Sequence, residues 1–159
     1  MSRPSVLILA WGNPSRGDDA LGPRLIERLE TLQHPLAGVG LELLTDFQLQ
    51  IEHALDLEDR DLVVFADAAA GGPEPFGFGP VTPEPALSVS THALSPGALL
   101  GVFRRVLGHR EPACYVLGIR GYRFDLGSEP SPQALANLDA ALTFLGDWLP
   151  RALQDARGR

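Results

Sequence analysis

The sequence of 159 residues has a single cysteine, Cys114, so it forms no intramolecular disulfide, and a reducing compartment is expected. A long hydrophobic run is also missing. The apolar stretch near the N-terminus extends only from Val6 to Ala10, which is too short for the core of a signal peptide. No uninterrupted apolar segment is long enough to cross a bilayer. These absences predict a cytoplasmic protein.

Clustered basic residues are scarce as well. Thirteen Lys and Arg against twenty Asp and Glu give a formal net charge of −7, and the basic residues form no run longer than Arg104-Arg105. Affinity for nucleic acids and for anionic membranes depends on clustered Lys and Arg, so both kinds of partner are disfavoured. A metal cation or a protein partner suits an acidic chain better.

The motifs of several hydrolase and nucleotide-binding classes are absent. The sequence has neither H-E-x-x-H nor G-x-S-x-G, and Cys114 lies in an apolar run, where a buried and inert thiol is expected. Gly12 and Gly17 have the spacing of P-loop glycines, but Asp18-Asp19 stand where that motif needs Lys followed by Ser or Thr. Two carboxylates would repel a phosphate, which argues against a nucleotide-binding protein.

Short apolar runs alternate along the chain with segments whose leucines recur at helical spacing. The runs predict strands at Ser5–Trp11, Leu41–Thr45, Leu62–Ala66 and Cys114–Ile119, and an edge segment around Phe76–Val81. Helices are predicted after the first strand, around Gln48–Leu57, around Leu99–Leu107 and from Pro132 to Leu149. This alternation favours βαβ units. We therefore predict one domain over residues 1–159, an α/β protein with a three-layer α/β/α sandwich around a mostly parallel twisted sheet.

Polar residues follow three of the predicted strands, where ligand sites gather in open α/β sheets. They are the turn Gly12–Asp19, the pair Thr45-Asp46 and Asp67. Carboxylates together with a neutral histidine suit a divalent first-row metal, and the candidate histidine is His92 in Ser90-Thr91-His92. The spacing places each residue at the end of an element but does not establish that they converge.

Each of these residues also has a simpler structural interpretation. Asp18 or Asp19 can cap the following helix, and Asp67 can begin a turn. His92 on its own is more often a loop or helix-entry residue than a ligand, and Asn13 tolerates unusual backbone angles. The residues alone leave these alternatives open.

Taken in order, the motifs resemble the signature of the hydrogenase maturation proteases. The resemblance begins with Gly12-Asn13-x-x-x-x-Asp18-Asp19-x-x-Gly22 directly after the first strand. It covers nearly the whole chain, continuing through Thr45-Asp46, Ala66-Asp67-Ala68, Ser90-Thr91-His92 and the late strand with Gly118. Any one of these motifs is weak, whereas the ordered set is specific.

The resemblance implies an α/β/α fold and an endopeptidase that removes a short C-terminal peptide from the [NiFe]-hydrogenase large-subunit precursor after nickel insertion. It implies that nickel, carried by the substrate, is contacted by Asp19, Asp67 and His92. The first of these is often Glu in the family, and the shorter Asp retracts the carboxylate by one methylene. Asp19 and Asp67 are the predicted catalytic residues, with Asp46 as an orienting group or base. Aspartic-like and metal-assisted hydrolysis both remain open.

Four further residues are predicted to contact the substrate: Asn13, Gln48, His53 and Arg120. His53 also fits a structural position on a helix, and Arg120 also fits bonding to local backbone. The segments from Asp46 to Leu55 and from Leu117 to Tyr122 look most like members that serve NAD-linked or other cytoplasmic bidirectional hydrogenases. The alternative functions are a non-catalytic nickel or precursor-binding chaperone and a general metallopeptidase.

Overall fold

The computed structural model describes residues 4–32, 39–85 and 94–157. Within them, five strands form one sheet in the order β2-β1-β3-β5-β4. The strands are β1 (Ser5–Trp11), β2 (Gly40–Asp46), β3 (Leu62–Ala69), β4 (Phe76–Pro80) and β5 (Ala113–Arg120). The α-helices are α1 (Leu21–Thr31), α2 (Pro96–Val106) and α3 (Pro132–Arg157), and two 3-10 helices span Gly17–Ala20 and Ile51–Leu57.

β1 and β3 lie at the centre of the sheet because their sequences are apolar on both faces. Residues 6–10 and 62–66 are all buried. β1 pairs in parallel with β2 and β3, and β3 pairs in parallel with β5. The edge strand β4 pairs with β5 in the antiparallel direction. The predicted mostly parallel sheet is therefore confirmed.

Helices cover both faces of this sheet. α1 and α3 pack on one face, where alternate strand residues such as Ile8, Val64 and Leu117 form the core. The second 3-10 helix and α2 pack on the other face, against residues such as Leu7 and Phe65. This arrangement confirms the predicted three-layer α/β/α sandwich.

Two differences from the predicted elements affect the site. β3 continues past Ala66, so Asp67 lies inside the strand and does not begin a turn. α1 starts after Ala20, which provides no side-chain cap, so the interpretation of Asp18 or Asp19 as the cap of this helix is wrong. The carboxyl groups of Asp18, Asp19 and Asp67 therefore act neither as the cap of α1 nor as the start of a turn.

The C-terminal helix α3 is longer than predicted and runs past Leu149 to Arg157. It includes Pro150, which is exposed, while Leu149 and Leu153 remain buried against the sheet. Burial of these leucines offsets the hydrogen bond that proline removes. In the part of the chain that the structure describes, every helix is too short or too polar to span a membrane.

Candidate functional site

The turn that joins β1 to α1, residues 12–19, requires glycine at its start. Gly12 has a φ of +149°, and a Cβ atom there would lie 2.0 Å from the carbonyl oxygen of Asp19. A Cβ atom at Gly22, in the first turn of α1, would lie 2.3 Å from the carbonyl oxygen of Trp11. The backbone N–H of Gly12 also donates to the carbonyl of Asp46 at 3.1 Å. The turn is therefore folded tightly against the ends of both β1 and β2.

The Asp19 carboxylate closes this turn from within. One oxygen, Oδ2, accepts a hydrogen bond of 2.7 Å from the backbone N–H of Asn13. Asn13 in turn accepts 2.9 Å from the N–H of Ser15 through its Oδ1. Asn13 does not have a positive φ, so the interpretation that it tolerates unusual backbone angles is wrong. Its side chain stabilises the loop, and its backbone orients Asp19.

Asp67 lies beside Gly118 of β5 and on the sheet face that α2 covers. Burial and the negative charge of Asp19 raise the pKa of Asp67 to about 7. Within residues 4–32, 39–85 and 94–157 its carboxyl group accepts no hydrogen bond that would offset this burial. The sequence predicted that Asp19 and Asp67 each lie at the end of an element, and the structure brings them close enough for their charges to interact.

Two neighbouring carboxyl groups, one of them with a raised pKa, have two uses in chemistry. They can hold a proton at neutral pH, or they can bind a cation that removes their mutual repulsion. The third predicted metal contact, His92, lies outside the described residues. Among the residues that are described, no three His, Cys, Asp or Glu side chains are grouped to hold a metal ion. Asp19 and Asp67 are thus neighbours in the structure, and their contact with a metal ion stays a prediction.

Asp46 and His53 form a pair at the carboxyl end of β2. His53 Nδ1 accepts 2.8 Å from the backbone N–H of Gln50, and Nε2 lies 3.4 Å from Asp46 Oδ2. Because Nδ1 is an acceptor, a neutral imidazole carries its proton on Nε2, the nitrogen that lies nearer to Asp46. The other oxygen of Asp46 accepts 2.7 Å from the N–H of Phe47. One oxygen of Asp46 is therefore fixed by a backbone hydrogen bond, and His53 lies beside the other.

The remaining two predicted substrate contacts lie after β2 and at the end of β5. Gln48 is exposed just after β2. Arg120, at the end of β5, donates 2.9 Å to the carbonyl of Gly72, and its guanidinium lies 5.1 Å from the ring centre of Tyr122. Among the described residues, Arg120 bonds to backbone carbonyls beside it in space, and these contacts join the loop after β3 to β5.

Asp18 has a role that sequence reasoning did not find. It is fully buried, and it accepts hydrogen bonds from the backbone N–H groups of Tyr122, Arg123 and Ser131 at 2.6, 3.0 and 2.6 Å and from the Ser131 hydroxyl at 2.7 Å. Burial alone raises the pKa of Asp18, but these four bonds together hold it below its ordinary value. Asp18 thereby fixes the loop after β5 against residues 12–19. Because its partners lie more than a hundred positions away, no local pattern reveals them.

The chain matches no protein-family model. A comparison with curated proteins likewise found no significant match.

Solved structures do resemble this one over nearly its full length. The [NiFe] hydrogenase maturation protease HycI from Thermococcus kodakarensis KOD1 is 25% identical, with a TM-score of 0.68 over 91% of this chain and 92% of that chain. The hydrogenase maturating endopeptidase HybD from E. coli is 24% identical, with a TM-score of 0.64 over 89% of each chain. A hydrogenase 2 maturation peptidase from Thaumarchaeota archaeon SCGC_AB-539-E09 is 21% identical, with a TM-score of 0.65 over 92% and 98%. The structural neighbours are hydrogenase maturation proteases, and this chain has their fold.

Proposed function

We propose that this chain is an endopeptidase that removes a short C-terminal peptide from the large-subunit precursor of a [NiFe] hydrogenase after nickel insertion. The observation that carries the proposal is the neighbouring pair of carboxyl groups of Asp19 and Asp67. Asp19 lies in the turn after β1, and Asp67 lies near the carboxyl end of β3. Both belong to the motifs by which the sequence resembles the hydrogenase maturation proteases. The likeness of the fold to HycI over nearly the whole chain supports the same class of enzyme.

In the proposed reaction, the precursor brings its nickel ion to these two carboxylates. Burial and like charge make the ionised pair unfavourable, and a cation between them would remove that cost. His92 is the proposed third contact on the basis of the sequence resemblance. It precedes α2, and α2 packs on the face of the sheet that carries Asp67. A precursor without nickel would leave the repulsion in place and would bind less well.

Two versions of the hydrolysis agree with this pair. In the metal-assisted version, the nickel of the substrate would polarise the scissile carbonyl, and a carboxylate would take a proton from the attacking water and pass it to the nitrogen of the leaving peptide. In the aspartic-like version, protonated Asp67 would donate to the carbonyl while ionised Asp19 would take a proton from the attacking water and pass it to the nitrogen of the leaving peptide. In both, Asp46 has the role of orienting substrate or water, because the Phe47 N–H fixes one of its oxygens and His53 lies beside the other. Removal of nickel from the precursor distinguishes the versions, since the second retains activity.

The test is incubation of the purified protein with nickel-loaded and nickel-free precursor, followed by the intact mass of the large subunit. We expect cleavage of the loaded form only, which is the outcome of the metal-assisted version, whereas cleavage of both forms would indicate the aspartic-like version. Asp19→Asn and Asp67→Asn keep side-chain size and should each lower the rate by roughly a hundredfold or more. Asp147→Asn, an exposed carboxylate on α3, is the matched control and should cleave at the wild-type rate.

The same assay separates the alternative functions. Binding of precursor without any cleavage by the wild type would indicate a chaperone, and cleavage of unrelated peptides would indicate a general peptidase. Processing at the wild-type rate by both Asp variants would contradict the proposed site. We further propose a cytoplasmic reaction on a precursor of the NAD-linked or bidirectional type, on the basis of the sequence resemblance in residues 46–55 and 117–122. A panel of loaded precursors from different hydrogenase groups tests that specificity.

A further inference from the structure

Residues 82–84 lie against the first turn of α2 and are bonded to it at two points. The hydroxyl of Ser95, the N-cap of α2, donates to Glu84 Oε2 at 2.6 Å, and the backbone N–H of Glu84 donates to the carbonyl of Gly97 at 2.9 Å. A Cβ atom at position 97 would lie 2.4 Å from the carbonyl oxygen of Thr82. Glycine is therefore required for this close approach, which holds Glu84 and Ser95 side by side.

The bond between Glu84 and Ser95 is separate from the capping of α2. The same Ser95 Oγ accepts a hydrogen bond of 3.0 Å from the backbone N–H of Ala98. A hydroxyl has one proton to donate and two lone pairs that accept, so both bonds form at once. The Glu84 carboxylate can therefore be removed without uncapping the helix.

The C-terminal end of α2 lies at the amino edge of the sheet. Only residues 107–112 join this end to Ala113, where β5 begins. Arg104, in the last turn of α2, donates to Glu111 of that connection at 2.9 Å. Because the helix packs on the face of the sheet, its N-terminal end is directed towards the carboxyl edge.

The length of α2 brings Ser95 to the level of the candidate site. Eleven helical residues span about 16 Å at about 1.5 Å each. From Ala113 to Gly118, β5 covers about 17 Å at about 3.3 Å per residue. Gly118 is the β5 partner of Asp67. The bonded pair of Glu84 and Ser95 therefore lies at the edge of the sheet that carries Asp67.

The segment between Glu84 and Ser95 includes His92, the predicted third contact to the metal, which lies outside the described residues. His92 precedes Ser95 by three positions, and an extended chain covers at most about 3.6 Å per residue. Its Cα atom is therefore within roughly 11 Å of the Cα atom of Ser95. Glu84 and Ser95 thus determine where the segment that carries His92 leaves and rejoins the described fold.

We propose that Glu84 and Ser95 are positioning residues for His92. Their hydrogen bond holds both ends of its segment together at the edge of the sheet where Asp67 lies. The inference rests on the proposed function for the role of His92 as a contact to nickel. It adds that this contact depends on a carboxylate that acts through Ser95 and not on the metal.

Glu84→Ala and Glu84→Gln form a matched pair of variants. Both remove the negative charge, but only glutamine keeps an oxygen that accepts from the Ser95 hydroxyl. Two quantities are measured for each variant: kcat/KM on nickel-loaded precursor, and the affinity of the free protein for Ni²⁺ alone by calorimetry. Glu84→Ala should lower kcat/KM roughly tenfold, because a remote change that displaces a site by 1 Å can cost up to about a hundredfold. It should also weaken Ni²⁺ binding, whereas Glu84→Gln should stay close to the wild type in both quantities.

The variant His92→Ala shows whether Glu84 acts through that histidine. In the His92→Ala background, Glu84→Ala should have no further effect, because no imidazole is left to position. Glu111→Ala breaks the contact with Arg104 at the opposite end of α2 and is the control, which should match the wild type. Thermal unfolding of each variant verifies that it is folded.

Three results would overturn the inference: wild-type values for Glu84→Ala, an equal loss in Glu84→Gln, or an equal additional loss in the His92→Ala background. If the wild type binds Ni²⁺ but processes no precursor, the proposed function fails, and the Ni²⁺ affinities of the Glu84 variants still decide the inference. If it processes precursor but does not bind free Ni²⁺, kcat/KM decides alone. A wild type that does neither would overturn both.

Discussion

The Asp67 carboxyl group combines burial, a like charge nearby and no hydrogen bond from the described residues. Its ionised form is therefore unfavourable in the folded protein, and its pKa rises to about 7. In the unfolded chain the same group ionises near pH 4. Between these two values the folded state binds one more proton than the unfolded state, so this residue lowers stability as pH rises.

We predict that Asp67→Asn removes this pH dependence. The variant should gain roughly 1–3 kcal/mol over the wild type at pH 8, because it carries no buried charge. At pH 4.5 the gain should largely disappear, since wild-type Asp67 is then protonated in the folded state. Urea unfolding of both proteins at the two pH values measures the difference.

Asp19→Asn provides the control for this prediction. It removes the neighbouring charge and should lower the pKa of Asp67, so that adding Asp67→Asn to it gives a smaller gain. A stability difference between wild type and Asp67→Asn that is constant from pH 4.5 to 8 would show that Asp67 does not titrate in this range. The prediction concerns the free protein and holds whether or not the chain is a peptidase.

At the scale of residues, the sequence indicated candidate carboxyl groups but not the contacts that each one makes. The ordered motif pointed to Asp19 and Asp67, and the structure places their charges together. It could not assign Asp18, because hydrogen bonds to residues 122–131 depend on how the chain returns to the turn. The proximity of Asp46 and His53 was likewise unforeseen, since it depends on the geometry of a 3-10 helix.

At the scale of elements, the contact between α1 and β1 decides how closely the turn approaches the sheet. Gly22 lies in the first turn of α1, and its Cα faces the backbone of Trp11. In a helix, alanine is otherwise better than glycine by up to about 1 kcal/mol. Here the contact outweighs that preference, because no side chain fits.

We predict that Gly22→Ala destabilises the fold by about 2 kcal/mol or more through overpacking. Gly146→Ala is the matched control in α3, because a Cβ atom there meets no atom within 4 Å. The control should stabilise the protein by roughly 0.5–1 kcal/mol through helix propensity alone. Thermal and urea unfolding measure both changes. A stabilised Gly22→Ala variant would show that α1 has room to move away from β1.

Elements were predictable to the extent that hydrophobic patterns determine them. β1 was predicted with its observed bounds, since an apolar run followed by Gly12 leaves little choice. β3 was predicted too short, because Asp67 interrupts the apolar pattern although the backbone continues to Ala69. The interruption lies at the candidate site, where a carboxyl group occupies a strand position that the local pattern would give to an apolar residue.

At the scale of the molecule, the topology brings the two ends of the sequence together. β1 lies near the centre of the sheet, and α3 packs against the same face as α1. Asp18 joins them, since Ser131 bonds to its carboxylate and accepts a hydrogen bond of 3.3 Å from Ala134 within the first turn of α3. The turn of residues 12–19 therefore depends on a helix that begins more than a hundred residues later.

We predict that a chain ending at Glu129 fails to fold cooperatively. It lacks Ser131, leaving Asp18 short of two of its four hydrogen bonds, and it lacks the buried leucines of α3: Leu138, Leu142, Leu145, Leu149 and Leu153. At about 1.5 kcal/mol or more each, these side chains contribute as much as the whole net stability of a typical domain. A chain ending at Leu153 keeps all of them and is the control. Circular dichroism and thermal unfolding compare the two, and a sharp transition in the shorter chain would show that the sheet with α1 and α2 forms the site without α3.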